Sequence, residues 1–339
     1  MSISHTEHEI LSQPEVWRAT LAEVDPTAAS AALRAASEVL VIGCGSTHYL
    51  AMTAASLLRR ADVRAWALPA SELLPEAQPR IGDPARTVLL AVSRSGTTTE
   101  TTRAVEHFRR MGGLTVIAIT CDPGSTLALQ ADIVLAAPAA QEKSVAQTRS
   151  FSAMTVIVAL LAGTMVDADR SILEQLPADA QRLLDDSREQ VRAHAVDAGL
   201  ESFYFLGGGA LFGIASEGML KLKEMSLTPS EAYHGMEFRH GPMSMCDSTS
   251  CVISLMMPER AILEDAVVGD LAQLGAVITT VGPGQDIPMA DYPEWARAPL
   301  YLLPLQLLAL ERAVHKGLDP DSPRNLTAVI HLDASDKAS

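Results

Sequence analysis

Two stretches of this chain carry side chains whose types and spacing could do chemistry. The first is Val88 to Thr101, reading VLLAVSRSGTTTET. Val88 to Val92 is an apolar run of the buried-strand type. It stops at Ser93, turns at Gly96 and gives way to a helix from about Thr98. Ser93, Arg94, Ser95, Thr97, Thr98 and Thr99 crowd the junction. A helix start offers unpaired backbone N–H groups and the positive end of a dipole. Hydroxyls and an arginine beside such amides make a phosphate or carboxylate site. The same residues also read as a Ser/Thr N-cap followed by ordinary turn residues. A second hydroxyl cluster, Ser144 to Ser150 with Gln147 inside it, precedes an apolar helix from Phe151. It reads either as a helix cap or as a further wall of the same anion site.

The second stretch is Glu217 to Pro242, EGMLKLKEMSLTPSEAYHGMEFRHGP. On a helix, Glu217, Lys221 and Glu224 fall at i, i+4 and i+7 and share a face. Such a set is commonly a solvated ion-pair ladder. Here the helix is otherwise apolar and follows a glycine-rich turn, and a carboxylate in that setting can work as an acid or base. His240 follows in Arg239-His240-Gly241-Pro242. An imidazole on so rigid a loop can donate a proton to a sugar ring oxygen, although a lone histidine is often only structural.

The elements that must hold these residues alternate. Residues 1 to 38 read as helices, with Pro14 in a first turn and Asp25-Pro26-Thr27 opening another. Strands are expected at Val39–Ile42, Val63–Leu68, Val88–Val92, Leu114–Ile119 and Ile133–Leu135, with helices at His48–Arg60 and Glu100–Met111. From Asp167 to Gly199 the chain is charged and helical, with Pro177 as a break. Phe203–Leu206 then runs into Gly207-Gly208-Gly209 and a helix to Met225. Alternation of this kind means an α/β fold with a doubly wound parallel sheet. The second half looks like a copy of the first, shifted by 207 − 43 = 164 residues;. Val88 falls on Val252 at that shift. The hydroxyl-rich loop has no counterpart, since the copy reads Met257-Pro258-Glu259-Arg260, so only the first copy keeps an anion cradle.

Composition closes several doors. Of 339 residues, 48% are hydrophobic and 4% aromatic, and the core is aliphatic, as helices packed on a parallel sheet require;. The net charge of −15 disfavours nucleic acid and anionic membrane as partners;. The N-terminus is not a signal peptide, and the apolar stretch Met154 to Val166 is too short to span a bilayer. Cys44, Cys121, Cys246 and Cys251 match no zinc spacing and read as reduced packing residues of a cytoplasmic protein, with no metal site;. Gly43-x-Gly45-x-x-His48 lacks the third glycine of the dinucleotide fingerprint, and no acidic residue closes the next strand. No cofactor is expected.

Together, Gly43-Cys44-Gly45-Ser46-Thr47, Ser93 to Thr98, Glu217 to Glu224 and Arg239-His240-Gly241-Pro242 resemble the sugar isomerase (SIS) domain family, nearest the isomerase half of the amino-sugar-phosphate synthases. The tail from Pro304 to Leu308 and Val314 to Leu326 is similar too. The resemblance covers roughly residues 8 to 333. It implies an α/β architecture of two tandem SIS subdomains, each a flavodoxin-like, doubly wound parallel sheet flanked by helices. Residues 1–38 would form an N-terminal helical segment, 39–168 the first subdomain with the phosphate site, and 169–198 a helical connector. Residues 199–318 would form the second subdomain with the catalytic Glu and His, and 319–339 a tail over the active site. It also implies a homodimer. Thr47, Ser93, Arg94, Ser95 and Thr98 would hold the phosphate of a phosphorylated amino sugar, with Ser46 and Gln147 beside the sugar. Glu224 would shuttle the proton between C1 and C2 with Lys221 beside it. His240 would open the ring from across the subunit interface.

Three departures from the family synthase matter. No glutaminase domain or N-terminal cysteine nucleophile is expected. Ala328 stands where the synthase has a Schiff-base lysine, the next lysine being Lys337. Arg94 replaces a glutamine and Gln147 a serine. Making an amino sugar from a ketose benefits from an enzyme imine, whereas the reverse direction uses the substrate's own amine. The expected activity is therefore deamination or deglycation of an amino-sugar 6-phosphate to a ketose 6-phosphate. A plain sugar-phosphate isomerase, a synthase-like aminotransferase dependent on ammonia or a partner, and a non-catalytic sugar-phosphate sensor are the alternatives.

Overall fold

The structure, a computed structural model, describes residues 3–78, 81–113 and 115–329. Leu114, at the head of the fourth expected strand, and 330–339 of the expected tail, Lys337 included, lie outside the described residues. In chain order the chain begins with α1 (His5–Leu11), α2 (Gln13–Glu23), α3 (Thr27–Ala35), β1 (Glu38–Gly43), α4 (Ser46–Arg60), β2 (Ala65–Pro69) and β3 (Thr87–Ser93). It continues with α5 (Thr99–Arg110), β4 (Thr115–Thr120), α6 (Thr126–Gln130), β5 (Ile133–Ala136), α7 (Arg149–Met165), α8 (Ser171–Glu174) and α9 (Leu176–Val196). The rest is β6 (Ser202–Leu206), α10 (Leu211–Ser226), β7 (Ser230–Tyr233), α11 (Gly235–Phe238), β8 (Ser250–Leu255), α12 (Ala261–Gln273), β9 (Val277–Gly282), β10 (Ile287–Pro288) and α13 (Glu294–His315).

These elements make two compact units. The first-sheet unit comprises Val16–Gln141, Arg149–Arg170 and, at the tail, 327–329. Its five parallel strands lie in the order β2-β1-β3-β4-β5, with Ile42 beside Ala91 and Val92 beside Ile119. Val39, Leu90 and Ile117 are as fully buried as their sequence neighbours Leu89 and Val116, so both sheet faces are covered. That is why these strands read as continuous apolar runs. One face packs Leu40, Ile42, Leu89 and Val116 against Ala104, Val105 and Phe108 of α5. α4 and α7 pack on each other and against β1 and β4. α7 is buried along nearly its whole length.

The second-sheet unit comprises 3–15, Glu142–Thr148 and Ser171–Leu326. Its sheet runs β7-β6-β8-β9-β10, all parallel. Written from the equivalent edge, this is the same order as the first sheet, so the internal repeat is real at the level of topology. Tyr204, Leu206 and Val252 meet Phe238, Val267 and Leu271 on one face. α10 and α9 pack along α13, whose residues from Ala296 to Ala313 are all buried. Gly218 permits the α10–α13 approach, because a Cβ there would lie 2.6 Å from Leu305 Cδ1.

The sequence-based elements stand with local corrections. α4 begins at Ser46, not His48, because the Thr47 hydroxyl folds back on Cys44 and starts the turn. Pro177 does not break a helix; it lies in the first turn of α9, where its missing N–H costs no bond;. β7, β9 and β10 were not foreseen. β7 and β10 are short edge strands without an apolar run, and β9 carries the β-branched run Val277 to Val281.

Candidate functional site

In the first-sheet unit, β3 delivers the chain into the hydroxyl-rich elbow. Gly96 has φ +62°, and a Cβ on it would meet Ser125 Oγ at 1.9 Å, so only glycine makes this turn;. The Gly96 N–H donates to Ser93 Oγ at 3.1 Å, and Ser93 Oγ lies 3.2 Å from Thr98 Oγ1. Ser95 Oγ accepts from the N–H and the hydroxyl of Thr97 at 3.2 and 3.1 Å. The Arg94 carbonyl is pinned from behind by the Thr120 hydroxyl and the Cys121 N–H. Thr98 caps α5 without using its hydroxyl for the cap. The elbow therefore carries two pairs of bonded hydroxyls, Ser93 with Thr98 and Thr97 with Ser95, just before a helix start, an arrangement able to offer donors to an anion;.

The neighbouring βα turn behaves differently. Thr47 Oγ1 accepts from the Cys44 N–H and bonds to the Cys44 carbonyl, both at 2.9 Å, so this hydroxyl braces its own loop. Ser46 opens α4 and is 6% exposed. Burial pushes the Cys44 thiol up, which leaves it a poor nucleophile;.

Arg94 is buried, and its guanidinium donates to the Ala328 carbonyl at 2.9 Å. Two of the positions at which this sequence departs from the family synthase thus touch. The arginine is tied to the tail as well as lying beside the elbow.

In the second-sheet unit the charge ladder of α10 is not a solvated one. Glu217 and Lys221 are completely buried, and the Glu224 side chain is 19% exposed. Lys221 Nζ lies 3.4 Å from Glu217 Oε1 and in hydrogen-bond contact with Glu224 Oε2. Burial alone would press the lysine down, but Glu217, Glu224 and the charge of Glu142 outweigh it, and its pKa is raised. Lys221 is a buried cation held between two carboxylates. It holds one edge of the Glu224 carboxylate, and the partial exposure of that residue leaves another edge accessible.

Gln147 lies in the 142–148 segment of the same unit. Its Oε1 is buried with no hydrogen-bond partner among the described residues. The segment is heavily tied down. Glu142 Oε1 accepts from the Thr148 N–H and hydroxyl at 2.6 and 2.8 Å. The Thr148 carbonyl accepts from Gln306 Nε2 of α13 at 3.0 Å, and the Val145 N–H reaches the Asp321 carbonyl at 3.2 Å. Glu9 of α1, 2% exposed, accepts from the Lys143 N–H at 2.6 Å and from the Ser144 N–H and hydroxyl. The 144–148 hydroxyls are therefore largely bonded within the protein. Sequence reading missed Glu9, Glu142, Gln306 and Asp321, since nothing local marks partners up to 316 positions away.

His240 is exposed on the turn after α11, where Arg239 pairs with Asp270. Met236 and Met245 on the same stretch are also exposed, the latter 70%. Among the described residues there is no cluster of His, Cys, Asp and Glu fit to hold a metal ion, and no helix is long and apolar enough to cross a membrane.

Comparison with known proteins follows the same lines. The family model described as SIS domain matches residues 32–163 and 200–315. The glutamine–fructose-6-phosphate aminotransferase (isomerizing) of Pyrobaculum aerophilum is 30% identical over 346 residues, covering 96% of this chain and 57% of that protein. Its counterpart in Treponema pallidum is 30% identical over 340 residues, covering 88% and 52%. The chain spans about half the length of these curated relatives. The solved glucosamine-6-phosphate deaminase of Thermotoga maritima is 30% identical with a TM-score of 0.87, covering 97% of this chain and 100% of its own. The tagatose-6-phosphate ketose/aldose isomerase of Escherichia coli, 22% identical with a TM-score of 0.84, covers 97% and 96% and shares the fold.

Proposed function

The chain belongs to the SIS domain family, and from that premise we propose that it is an amino-sugar-phosphate deaminase or deglycase. The substrate is an aldose 6-phosphate bearing an amine or substituted amine at C2. Its products are a ketose 6-phosphate and ammonia or the free amine. Ser93, Ser95 and Thr98, with the elbow amides, take the phosphate. Thr47 and Arg94 complete the phosphate site, the guanidinium adding positive charge. Ser46 and Gln147 bind sugar hydroxyls. His240, supplied by the other subunit of a homodimer, protonates the ring oxygen as the ring opens; its exposure on a methionine-flanked turn fits that role. Glu224 takes the proton from C2 and returns it to C1. The substrate's own nitrogen is then a ketimine, and water adds to C2 and expels the amine.

The observation that carries this reading is the buried Glu217–Lys221–Glu224 set, with Glu224 alone partly open. It supplies a carboxylate steadied by a fixed cation, as a proton shuttle needs, and it keeps Lys221 out of imine chemistry. Ala328, held by Arg94, offers no amine either. With neither position supplying an amine, the substrate's own nitrogen serves as the imine in this reading, which favours nitrogen loss over synthesis. The likeness to the Thermotoga deaminase, covering nearly the whole of both chains, supports the same direction. The test is a product assay over glucosamine 6-phosphate, its C4 epimer and fructosamine 6-phosphates. Release of ammonia or amine supports the reading, accompanied by a ketose 6-phosphate from the C2-aminated aldoses and, because a fructosamine carries its nitrogen on C1, by an aldose 6-phosphate from the fructosamines. Ketose formation from a neutral aldose phosphate, with no nitrogen released from any aminated one, would replace it with plain isomerisation.

A further inference from the structure

We infer that Glu9 is a positioning residue for sugar recognition, setting from α1 the segment that presents the Gln147 amide. The inference rests on the proposed sugar-binding role of Gln147 and adds the part that holds it. Glu9 is a carboxylate in a seven-residue helix, yet it is 2% exposed. A buried carboxylate stays only where donors replace water. All of its donors come from one place: the Lys143 N–H, the Ser144 N–H and the Ser144 hydroxyl. Ser144 Oγ also contacts the Ala146 carbonyl at 3.1 Å, so the grip extends to the residue before Gln147.

α1 is itself fixed along its first turn. Asp321 accepts from the His5 N–H at 2.9 Å and from the Thr6 N–H and hydroxyl at 2.7 Å, while its own carbonyl accepts from Val145. Glu7 takes Arg188 Nη2 at 2.6 Å, and Arg188 Nε reaches Glu311 of α13 at 2.7 Å. α1, the 142–148 segment and the residues after α13 therefore form one clasp. Glu9 is the member whose contacts are spent wholly on the Gln147-bearing segment. The unbonded Gln147 Oε1 is the acceptor that this clasp leaves for a ligand.

Glu9→Leu keeps much of the bulk and removes both acceptor oxygens from the Lys143 and Ser144 N–H groups and the Ser144 hydroxyl. Three measurements on the full chain decide the matter. Hydrogen exchange at the Lys143 and Ser144 amides should accelerate. The KM for glucosamine 6-phosphate, or the Kd of its unreactive reduced alcohol, 2-amino-2-deoxyglucitol 6-phosphate, should rise about tenfold, one decade of affinity for one misplaced hydrogen bond. The inhibition constant of inorganic phosphate, which reads the elbow alone, should stay put. Ser144→Ala should shift the sugar constant the same way, and the double variant should add little, since both cut one contact. A fall in kcat at constant KM would mean only fewer folded molecules, and a parallel loss of phosphate and sugar affinity would mean a distortion not confined to the 142–148 segment; either would overturn the inference. A wild type that binds the reduced alcohol but never releases amine defeats the deaminase reading while these comparisons still decide the role of Glu9. A wild type that binds no sugar phosphate overturns both.

Discussion

The two elbows of the repeat, one after β3 and one after β8, differ in how they treat negative charge. The strand orders match, so the contrast lies in side chains. The first elbow ends in hydroxyls bonded to one another and to a glycine amide. The second reads Met257-Pro258-Glu259-Arg260, and its Met257 N–H is taken by Glu264 Oε2 of α12 at 2.8 Å. Arg260 and Glu264 also crowd the Gly207-Gly208-Gly209 turn, where a Cβ on Gly208 would meet Arg260 Nη1 at 2.8 Å. Arg297, buried, forks onto Glu259 at 2.5 and 2.9 Å. The second copy thus carries its own anion. The copies have also divided their labour along the helices that follow their first strands. α4 begins with Ser46 and Thr47 beside the cradle, whereas α10 carries the buried Glu217, Lys221 and Glu224.

That division can be broken in order of expected effect. Glu224→Gln should cost about a thousandfold or more in kcat, within the range of a lost general base, with inorganic phosphate still inhibiting a residual or ligand-binding signal at the wild-type concentration. Joint loss of turnover and phosphate binding would mean that the copies are not separable. Ser93→Asp imports into the first elbow the carboxylate that the second possesses, and phosphate affinity should drop about a hundredfold by like-charge repulsion. Phosphate protection against thermal unfolding reads this directly. Lys221→Met leaves two carboxylates on a buried face and should destabilise the protein by about 3–5 kcal/mol in urea titration.

The smaller effects fall on the second elbow. Glu264→Ala strands the Met257 N–H and should cost about 1–3 kcal/mol. Burial holds the Glu264 carboxyl above the usual carboxylate range, against the pull of Met257 and Arg260. A raised folded pKa means the folded state binds the proton more tightly. Its stabilising contribution is complete below the unfolded value, near 4.5, and is lost as pH rises through the folded value. Glu264→Gln should remove that component from a stability–pH curve. An unchanged curve would show that the carboxylate is better solvated than its burial suggests.

The sequence was most informative where physics is local. Apolar runs bounded by Ser93 or Gly43 announced strands, because a sheet covered on both faces must be aliphatic throughout. The elbow was legible for a similar reason: Gly96 and its hydroxyl neighbours act within a few residues of one another. The i, i+4, i+7 spacing placed Glu217, Lys221 and Glu224 on one face, but not the depth of that face, since burial of α10 is decided by α13 about ninety residues later. The edge strand β7, reading Ser-Glu-Ala-Tyr, has no periodic signal at all. Nor could the sequence reveal that Arg94 and Ala328, two separate departures from the family pattern, lean on each other.

The clasp has a bearing on how the polypeptide is made. Asp321 caps a helix whose first residue left the ribosome 316 positions earlier. Until that aspartate emerges, the His5 and Thr6 amides of α1 lack the carboxylate that holds them, and only the Glu7 N–H has its local cap on Ser4. Contacts of such long range slow folding because loop closure precedes any reward. The clasp therefore closes in stages, as Ser144, Arg188 and finally Asp321 are made, and its last contact spans the longest loop.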